Sequence, residues 1–204
     1  MNKFTKKIIA IWRWPLINKY HHSLKHKDIV IISSNCIGGV MYHDAKTQFL
    51  SPTINLSILD FLSFVNDLEL NLKSQIVPAG YDSLGRPLCK INDIVLKGHH
   101  YSSEDEMISK WEERSKRAFT SNKIFIVATD EFIRDEEEEK RFDSIKFPKI
   151  CFTSKEPKYD WQIYLPEFKK QKYVGDCMKY KTITGKRIFE KHFNFVRWLN
   201  SYYN

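Results

Sequence analysis

Two unbroken runs of apolar residues constrain the fold of this chain more than any other feature. Residues 29–32 and 124–128 contain no polar side chain, and a strand with this pattern is buried on both of its faces. Such strands are typical of a parallel sheet that helices cover on both sides. We therefore predict that both runs form central strands, parallel to each other, in an α/β fold.

Strand-like and helical patterns alternate along the rest of the chain. Further strands are predicted at 75–77, 91–96, 149–152 and 161–165, and helices at 53–72, 134–144 and 186–202. Ser103 opens another helix, because Glu106 three residues later completes a capping box. Strands separated by helices favour right-handed crossovers. The pattern predicts a Rossmann-like three-layer sandwich with a mostly parallel central sheet.

The length of the chain indicates one domain, preceded by a segment of unusual composition. A chain of 204 residues forms one substantial core and is too short for two ordinary domains. We divide it into an N-terminal segment, 1–27, and a single α/β domain, 28–204. The basic residues before the first acid are Lys3, Lys6, Lys7, Arg13, Lys19, Lys25 and Lys27.

Tryptophan and isoleucine accompany the basic residues of segment 1–27. This mixture is typical of an anchor that lies on an anionic membrane surface. The alternative is that Trp12 and Trp14 pack on the domain while the lysines are solvated. No stretch has the ~20 uninterrupted apolar residues of a spanning helix. We therefore expect a cytoplasmic protein that is peripheral at the inner face of the plasma membrane.

Cysteine usage and net charge narrow the possible partners. The four cysteines have no CxxC spacing, which favours a reducing compartment and makes a zinc site unexpected. The net charge of +8 indicates an anionic partner. The basic residues lack the aromatic strand platforms of single-strand binders, so no nucleic acid is expected.

The turn after the first predicted strand is the best candidate active site. Its sequence is Ser34-Asn35-Cys36-Ile37-Gly38-Gly39. A thiol at a strand end becomes a nucleophile when a neighbouring base or positive charge lowers its pKa. Asn35 and the backbone amides of Gly38 and Gly39 are predicted to bind an oxyanion or a phosphate. The alternative is a structural turn with a packed cysteine.

His100 and His43 are the candidate general bases. His100 follows the predicted strand 91–96, and α/β proteins bind ligands at the carboxyl ends of their strands. We predict that Cys36, His100 and the paired glycines form one pocket at this edge of the sheet. The alternative for each histidine is an ordinary polar residue that bonds to the backbone.

Three residues in the middle of the chain are predicted ligand contacts. Arg114 and Arg117 lie near each other on the helix that begins at Ser103, and Asn122 precedes the second apolar run. The guanidinium groups suit a phosphate or a carboxylate. Ion pairs with glutamates of the same helix are the alternative.

Several blocks occur in a fixed order along the chain. They are Ile31-Ile32-Ser33-Ser34-Asn35-Cys36-Ile37-Gly38-Gly39, Tyr42-His43, Ser51-Pro52-Thr53, His100-Tyr101, Lys110-Trp111-Glu112-Glu113-Arg114-Ser115-Lys116-Arg117, Asn122 and Phe195-Val196-Arg197-Trp198-Leu199-Asn200. They resemble a bacterial domain of unknown function that is often labelled exopolysaccharide biosynthesis protein. The resemblance runs from residue 29 to the C-terminus. It implies a Rossmann-like domain that works in cell-surface glycan assembly on a sugar or lipid-linked glycan.

Two enzyme classes and one binding class remain open. In acyl transfer to a sugar hydroxyl, Cys36 is the nucleophile and His100 or His43 the base. In glycosyl transfer from a nucleotide sugar, the turn asparagine and the two arginines contact the donor phosphates, although the chain contains no Asp-x-Asp pair. In a glycan or lipid-carrier binding module, Cys36 is merely packed. We favour a transferase of surface-polysaccharide biosynthesis, with acyl transfer first; no cofactor is indicated.

Overall fold

The computed structural model describes residues 3–180 and 185–202. The strands of this part of the chain are β1 (Ile29–Ser33), β2 (Leu56–Ile58), β3 (Ile76–Tyr81), β4 (Pro87–Ile91), β5 (Ile94–Gly98), β6 (Lys123–Thr129), β7 (Lys149–Thr153) and β8 (Gln162–Tyr164). Its α-helices are α1 (Lys3–Ser23), α2 (Ile37–Ala45), α3 (Phe61–Asn66), α4 (Leu68–Lys73), α5 (Glu104–Ala118), α6 (Glu136–Asp143) and α7 (Phe195–Asn200).

A four-stranded parallel sheet has the order β1-β6-β7-β8. The two apolar runs are neighbours in it, with Ile31 opposite Phe125 in parallel register. The predicted parallel pairing is therefore confirmed. The predicted central position of residues 29–32 is wrong, because β1 stands at one end of the sheet.

Side chains, rather than another strand, satisfy the outer edge of β1. The hydroxyl of Tyr42 bonds to the backbone of Ile29 and Ile31, and Thr53 Oγ1 accepts a hydrogen bond from the Ser33 nitrogen at 3.0 Å. The Ile58 nitrogen donates to the Ser34 oxygen at 3.2 Å, just beyond the end of β1. With its edge covered in this way, β1 is buried along its whole length. Its sequence therefore has the pattern of a central strand.

A second, antiparallel sheet has the order β2-β5-β4-β3. The single strand predicted at 91–96 is wrong, because Asn92 and Asp93 form a turn between β4 and β5. Asn92 has φ of 52°, a left-handed conformation that asparagine adopts more readily than most residues. The fold is thus a mixed α/β fold with one parallel and one antiparallel sheet, and not one mostly parallel sheet.

Two predicted helices are also shorter than their patterns indicated. The helix predicted at 53–72 is replaced by β2, α3 and α4, since Asn55 turns the chain with φ of 65° and Asp60 caps α3. The helix predicted at 186–202 is reduced to α7, which Asn194 caps by accepting a hydrogen bond from the Arg197 nitrogen. In both segments a local capping group interrupts the apolar periodicity.

The parallel sheet has a hydrophobic core on each face. Val30 and Ile32 point into the first core, which the antiparallel sheet and helices α3 and α5 complete. Ile29 and Ile31 point into the second core, with residues of α2 and α7. Successive side chains of a strand alternate between its faces, so an apolar run is what a strand between two cores requires.

Helix α1 packs against α2 and shares the second core. Tyr20 and Leu24 are buried there. Arg13 is 2% exposed and forms ion pairs with Asp44 of α2 and Glu190, the latter at 2.8 Å. Segment 1–27 is thus joined to the rest of the domain by a buried ionic cluster. Among the described residues, no helix is long and apolar enough to cross a membrane.

Candidate functional site

A cavity of about 640 Å³ lies at the carboxyl edge of the parallel sheet, where the two sheets meet. Asn35 and Cys36, which follow β1, line one part of it, and Glu131 and Phe132, which follow β6, line another. Side chains of β2 and β5 complete the wall on the side of the antiparallel sheet. The cavity thus occupies the edge at which α/β proteins bind their ligands.

Ser57 and His99 form a hydrogen-bonded pair in this cavity. The register of β2 and β5 places Ser57 opposite Lys97, and the Oγ of Ser57 lies 2.6 Å from Nε2 of His99. Ser57 is 7% exposed. A hydroxyl this close to an imidazole has the geometry of a nucleophile and its general base.

Burial lowers the pKa of His99, and the positive charge of Arg86 lowers it further. The imidazole is therefore neutral near pH 7, which is the form that accepts a proton. Nη1 of Arg86 lies 3.5 Å from Nδ1 of His99, a distance too long to fix which ring nitrogen carries the proton. The pKa and the short contact to Ser57 both suit a general base.

The cavity contains charges of both signs. Arg86 and Lys97 line it, and both contact Asp82, at 2.7 Å and 3.2 Å. Glu131 and Asp176 add carboxylates to the opposite wall. Donors and acceptors of this kind suit a ligand with many hydroxyl groups, while Leu59, Phe132 and Met178 add apolar surface.

The turn after β1 ends in the first turn of α2. The Oδ1 of Asn35 accepts a hydrogen bond from the Ile37 nitrogen at 3.1 Å, and its Nδ2 donates to Thr129 Oγ1 at 3.3 Å. Asn35 therefore links the ends of β1 and β6, and it bonds to the first backbone N–H of α2. The positive end of the helix dipole lies beside the cavity that Asn35 and Cys36 line.

The environment of Cys36 favours the protonated thiol. Burial, with a smaller contribution from the charge of Asp176, raises the pKa of Cys36 to about 11. A catalytic thiol usually has a lowered pKa. Cys36 is half-buried, whereas Cys89, Cys151 and Cys177 are buried. Its reactivity stays a prediction, and its environment does not favour the thiolate.

Asp130 organises the wall on the side of Asp176. Its carboxylate accepts hydrogen bonds from the nitrogen and the hydroxyl of Ser154, both at 2.8 Å, and from the Val174 nitrogen at 2.6 Å. These bonds join the end of β6 to the loops that follow β7 and β8. Asp130 thereby positions Val174 and the neighbouring Asp176 on the cavity wall.

Three of the residues predicted from the sequence share this cavity, namely Asn35, Cys36 and His100. His100 is exposed. His43 lies in the last turn of α2, and its Nδ1 is 3.2 Å from Asp44 Oδ1. The side chain of His43 is 71% exposed and is not among the residues that line the cavity.

The paired glycines lie within α2 and contact β1 and its neighbours. A Cβ atom on Gly38 would lie 2.6 Å from Ser33 Oγ, and one on Gly39 would lie 3.5 Å from Ile54. Close packing of α2 on β1 therefore accounts for the glycine at position 38. Neither residue lines the cavity, and anion binding by their amides stays a prediction.

Arg114, Arg117 and Asn122 lie outside the cavity. Arg114 is 8% exposed, and its guanidinium donates to the Tyr101 hydroxyl at 2.8 Å. Arg117 pairs with Glu113 at 2.7 Å. Asn122 precedes β6, at the end of the strand away from the cavity. The structure thus does not bring these three residues together with Cys36.

Sequence reasoning missed Ser57, His99 and Arg86. A signal for His99 was present, because Lys97 and His99 are two residues apart and so share one face of β5 and its extension. Ser57 and Arg86 carried no comparable signal, since only the pairing of the strands brings them to His99. In the part of the chain that the structure describes, no cluster of three His, Cys, Asp or Glu side chains is placed to hold a metal ion.

The fold and the cavity define a mixed α/β protein with a polar cavity at the edge of its parallel sheet. A family model matches residues 10–200, and the chain belongs to that family, the domain of unknown function DUF1919. An uncharacterized protein of Haemophilus influenzae is 30% identical in an alignment 207 residues long, which covers 98% of this chain and 99% of the relative. The family match includes most of α1, beyond the extent that the sequence resemblance indicated.

Proposed function

We propose that this protein is a transferase of bacterial cell-surface or exopolysaccharide biosynthesis that moves an acyl group to a sugar hydroxyl. The observation that carries the proposal is the distance of 2.6 Å between Ser57 Oγ and His99 Nε2, within a cavity large enough for a sugar. The parallel sheet and its edge cavity also favour a distant Rossmann-like relationship, which is part of the proposal.

In the first half of the reaction Ser57 attacks the carbonyl carbon of an acyl donor. The hydroxyl proton passes to Nε2 of His99, and the donor's leaving group departs with that proton, which leaves an ester on Ser57. The positive end of α2 lies beside the cavity and favours the oxyanion that forms in this step.

In the second half a sugar hydroxyl attacks the ester on Ser57. His99 takes the proton of the sugar hydroxyl and returns it to Ser57, so that the product is an O-acylated sugar and the enzyme is regenerated. The charges of both signs and the apolar surface of the cavity match the hydroxyl groups and carbon faces of a sugar ring. Ser57 replaces Cys36 as the proposed nucleophile, because Ser57 contacts the imidazole of His99 at 2.6 Å, whereas burial raises the pKa of the Cys36 thiol.

Reaction with p-nitrophenyl acetate, an activated acyl donor, tests this proposal. The protein is expected to release a burst of p-nitrophenolate and to carry one acetyl group on the peptide that contains Ser57. The Ser57→Ala and His99→Asn variants are expected to lose the burst by at least about a hundredfold, whereas Cys36→Ala and His100→Asn retain it. Acetylation of Cys36, or a burst that survives Ser57→Ala, would refute the mechanism.

Glycosyl transfer is the second candidate function, and the presence of Arg86 and Lys97 in the cavity favours it. Two cations suit the diphosphate of a nucleotide sugar, although Asp82 offsets one of them.

Thermal unfolding with acetyl-CoA or with UDP-glucose distinguishes the two functions, because a bound ligand stabilises the folded state. Stabilisation by UDP-glucose alone, with no acetyl group on Ser57, would favour glycosyl transfer. A glycan that stabilises the protein without any turnover would indicate a binding module.

A further inference from the structure

Helix α1 exposes three large apolar side chains on its outer surface. Ile11 is 72% exposed, Trp12 60% and Trp14 63%. Trp12 and Trp14 are therefore not packed on the domain, which was the alternative to a membrane anchor. Tryptophan is highly buried on average, and an exposed cluster of apolar side chains commonly marks a contact with a partner or a membrane.

The opposite face of α1 is fixed to the domain. Ile9, Arg13 and Tyr20 are buried, at 2–9% exposure, and their spacing places them on one side of the helix. The Arg13 guanidinium also donates to the Gly185 carbonyl oxygen at 2.6 Å. The helix is thus held in one orientation, with the exposed apolar face turned outward.

The charge of α1 and its surroundings indicates which kind of partner binds this face. Residues 1–27 contain no acid, and Arg13 is neutralised by its buried carboxylate partners, so the lysines are the source of the net positive charge of this segment. Two copies of such a face repel each other, which disfavours a dimer through α1. An anionic bilayer provides both an apolar layer for the tryptophans and negative head groups for the lysines.

We propose that α1 binds the surface of an anionic phospholipid bilayer and lies in the interface with Ile11, Trp12 and Trp14 inserted. At 21 residues the helix is ~31 Å long, and the domain holds it on the side away from the lipid. Tryptophan favours the interface between the head groups and the acyl chains, because its ring is apolar while its N–H remains close to water. This inference is independent of the proposed acyl transfer.

Binding of the full chain to phosphatidylcholine vesicles, with and without phosphatidylglycerol, tests this inference by sedimentation and tryptophan fluorescence. Strong binding and a blue shift are expected only with phosphatidylglycerol. The binding weakens as salt rises, because the Debye length falls from ~8 Å at physiological ionic strength to ~3 Å at 1 M. Each substitution of Lys3, Lys6 or Lys7 by glutamine is expected to weaken binding roughly fivefold.

The double variant Trp12→Ser/Trp14→Ser is expected to lose at least about tenfold in vesicle affinity. Leu84→Ser is the matched control, since Leu84 is 74% exposed and lies in the turn between β3 and β4. Both proteins are expected to unfold at the temperature of the unmodified protein. Equal binding of the double variant and the control overturns the inference. So does a dimer that the tryptophan substitutions dissociate, or binding to phosphatidylglycerol without a blue shift.

Discussion

The hydroxyl of Tyr42 lies 2.8 Å from the backbone nitrogen of Ile31, and it accepts a hydrogen bond from that nitrogen. The same hydroxyl donates to the carbonyl oxygen of Ile29, also at 2.8 Å. Tyr42 thereby bonds to the outer edge of β1 as a neighbouring strand would. Burial raises the pKa of Tyr42, so the hydroxyl keeps its proton and acts as donor and acceptor at once.

The substitution Tyr42→Phe is expected to lower the free energy of unfolding by about 2–4 kcal/mol, because it leaves one donor and one acceptor of β1 buried without partners. Urea denaturation measures the change. Tyr81→Phe is the control, since Tyr81 is 53% exposed and its substitution changes stability by less than about 0.5 kcal/mol. Equal stability of the two variants would show that the edge of β1 does not depend on Tyr42.

The local pattern of β1 predicted its burial and its parallel partner, but not its place at the end of the sheet. A run of apolar residues reports that both faces are covered, whereas the cover of the edge depends on Tyr42 and Thr53, which reach β1 through tertiary contacts. The turn at Asn92 and Asp93 did carry a signal, since asparagine favours left-handed turns. A turn at this position joins β4 and β5 as an antiparallel pair, which is the centre of the second sheet.

The candidate site was likewise predictable only in part. The turn after β1 pointed to Asn35 and Cys36 because a strand end in an α/β fold has a known position. Ser57 and His99 come from the antiparallel sheet, whose existence the sequence reasoning missed. Ser57 and His99 therefore meet only through the pairing of strands, and no local sequence motif connects them.

The two glycines of α2 provide a matched pair of substitutions. Gly38→Ala is expected to destabilise the protein by about 1–3 kcal/mol, since its Cβ would lie 2.6 Å from Ser33 Oγ. Gly39→Ala meets Ile54 at an ordinary distance of 3.5 Å. It is expected to be neutral or to stabilise by roughly 0.5–1 kcal/mol, because alanine favours the helix. Thermal unfolding of both variants checks the difference, and the reverse order would contradict the close packing of α2 on β1.

The pH dependence of ester cleavage is expected to follow His99. The rate rises as the imidazole loses its proton and reaches a plateau above its pKa. Because that pKa is lowered, the inflection lies below the ordinary value of ~6.5. Arg86→Gln removes a neighbouring cation and moves the inflection to higher pH, while Lys140→Gln, at an exposed position of α6, does not. An inflection that Arg86→Gln leaves in place would exclude His99 as the base.

The buried cluster around Arg13 is expected to control stability in acid. Burial opposes the charge of Asp44, but Arg187 and Arg13 outweigh it and lower the pKa of Asp44. The contribution of Asp44 to stability is therefore complete above its unfolded pKa of ~3.9 and is lost as the pH falls towards the folded value.

Arg13→Met is expected to cost about 3–5 kcal/mol at pH 7, since it removes a cation from buried carboxylates. It also flattens the dependence of stability on pH below about pH 4, because the pKa of Asp44 moves back towards its ordinary value. Urea denaturation across this range measures both effects. Lys19→Met, at an exposed position of the same helix, is the control, and equal slopes for the two variants would contradict the account.

The pairing of Arg13 with Glu190 spans 177 residues of sequence, and this separation sets an order of events during translation. Arg13 leaves the ribosome early, whereas Glu190 follows only after both sheets have been synthesised. At ~5–20 residues per second, helix α1 waits ~10–35 seconds for that partner. During this interval α1 lacks its final clamp. Asp44 of α2 is only 31 residues from Arg13 and is made early, so α1 can pack on α2 well before Glu190 completes the ionic cluster.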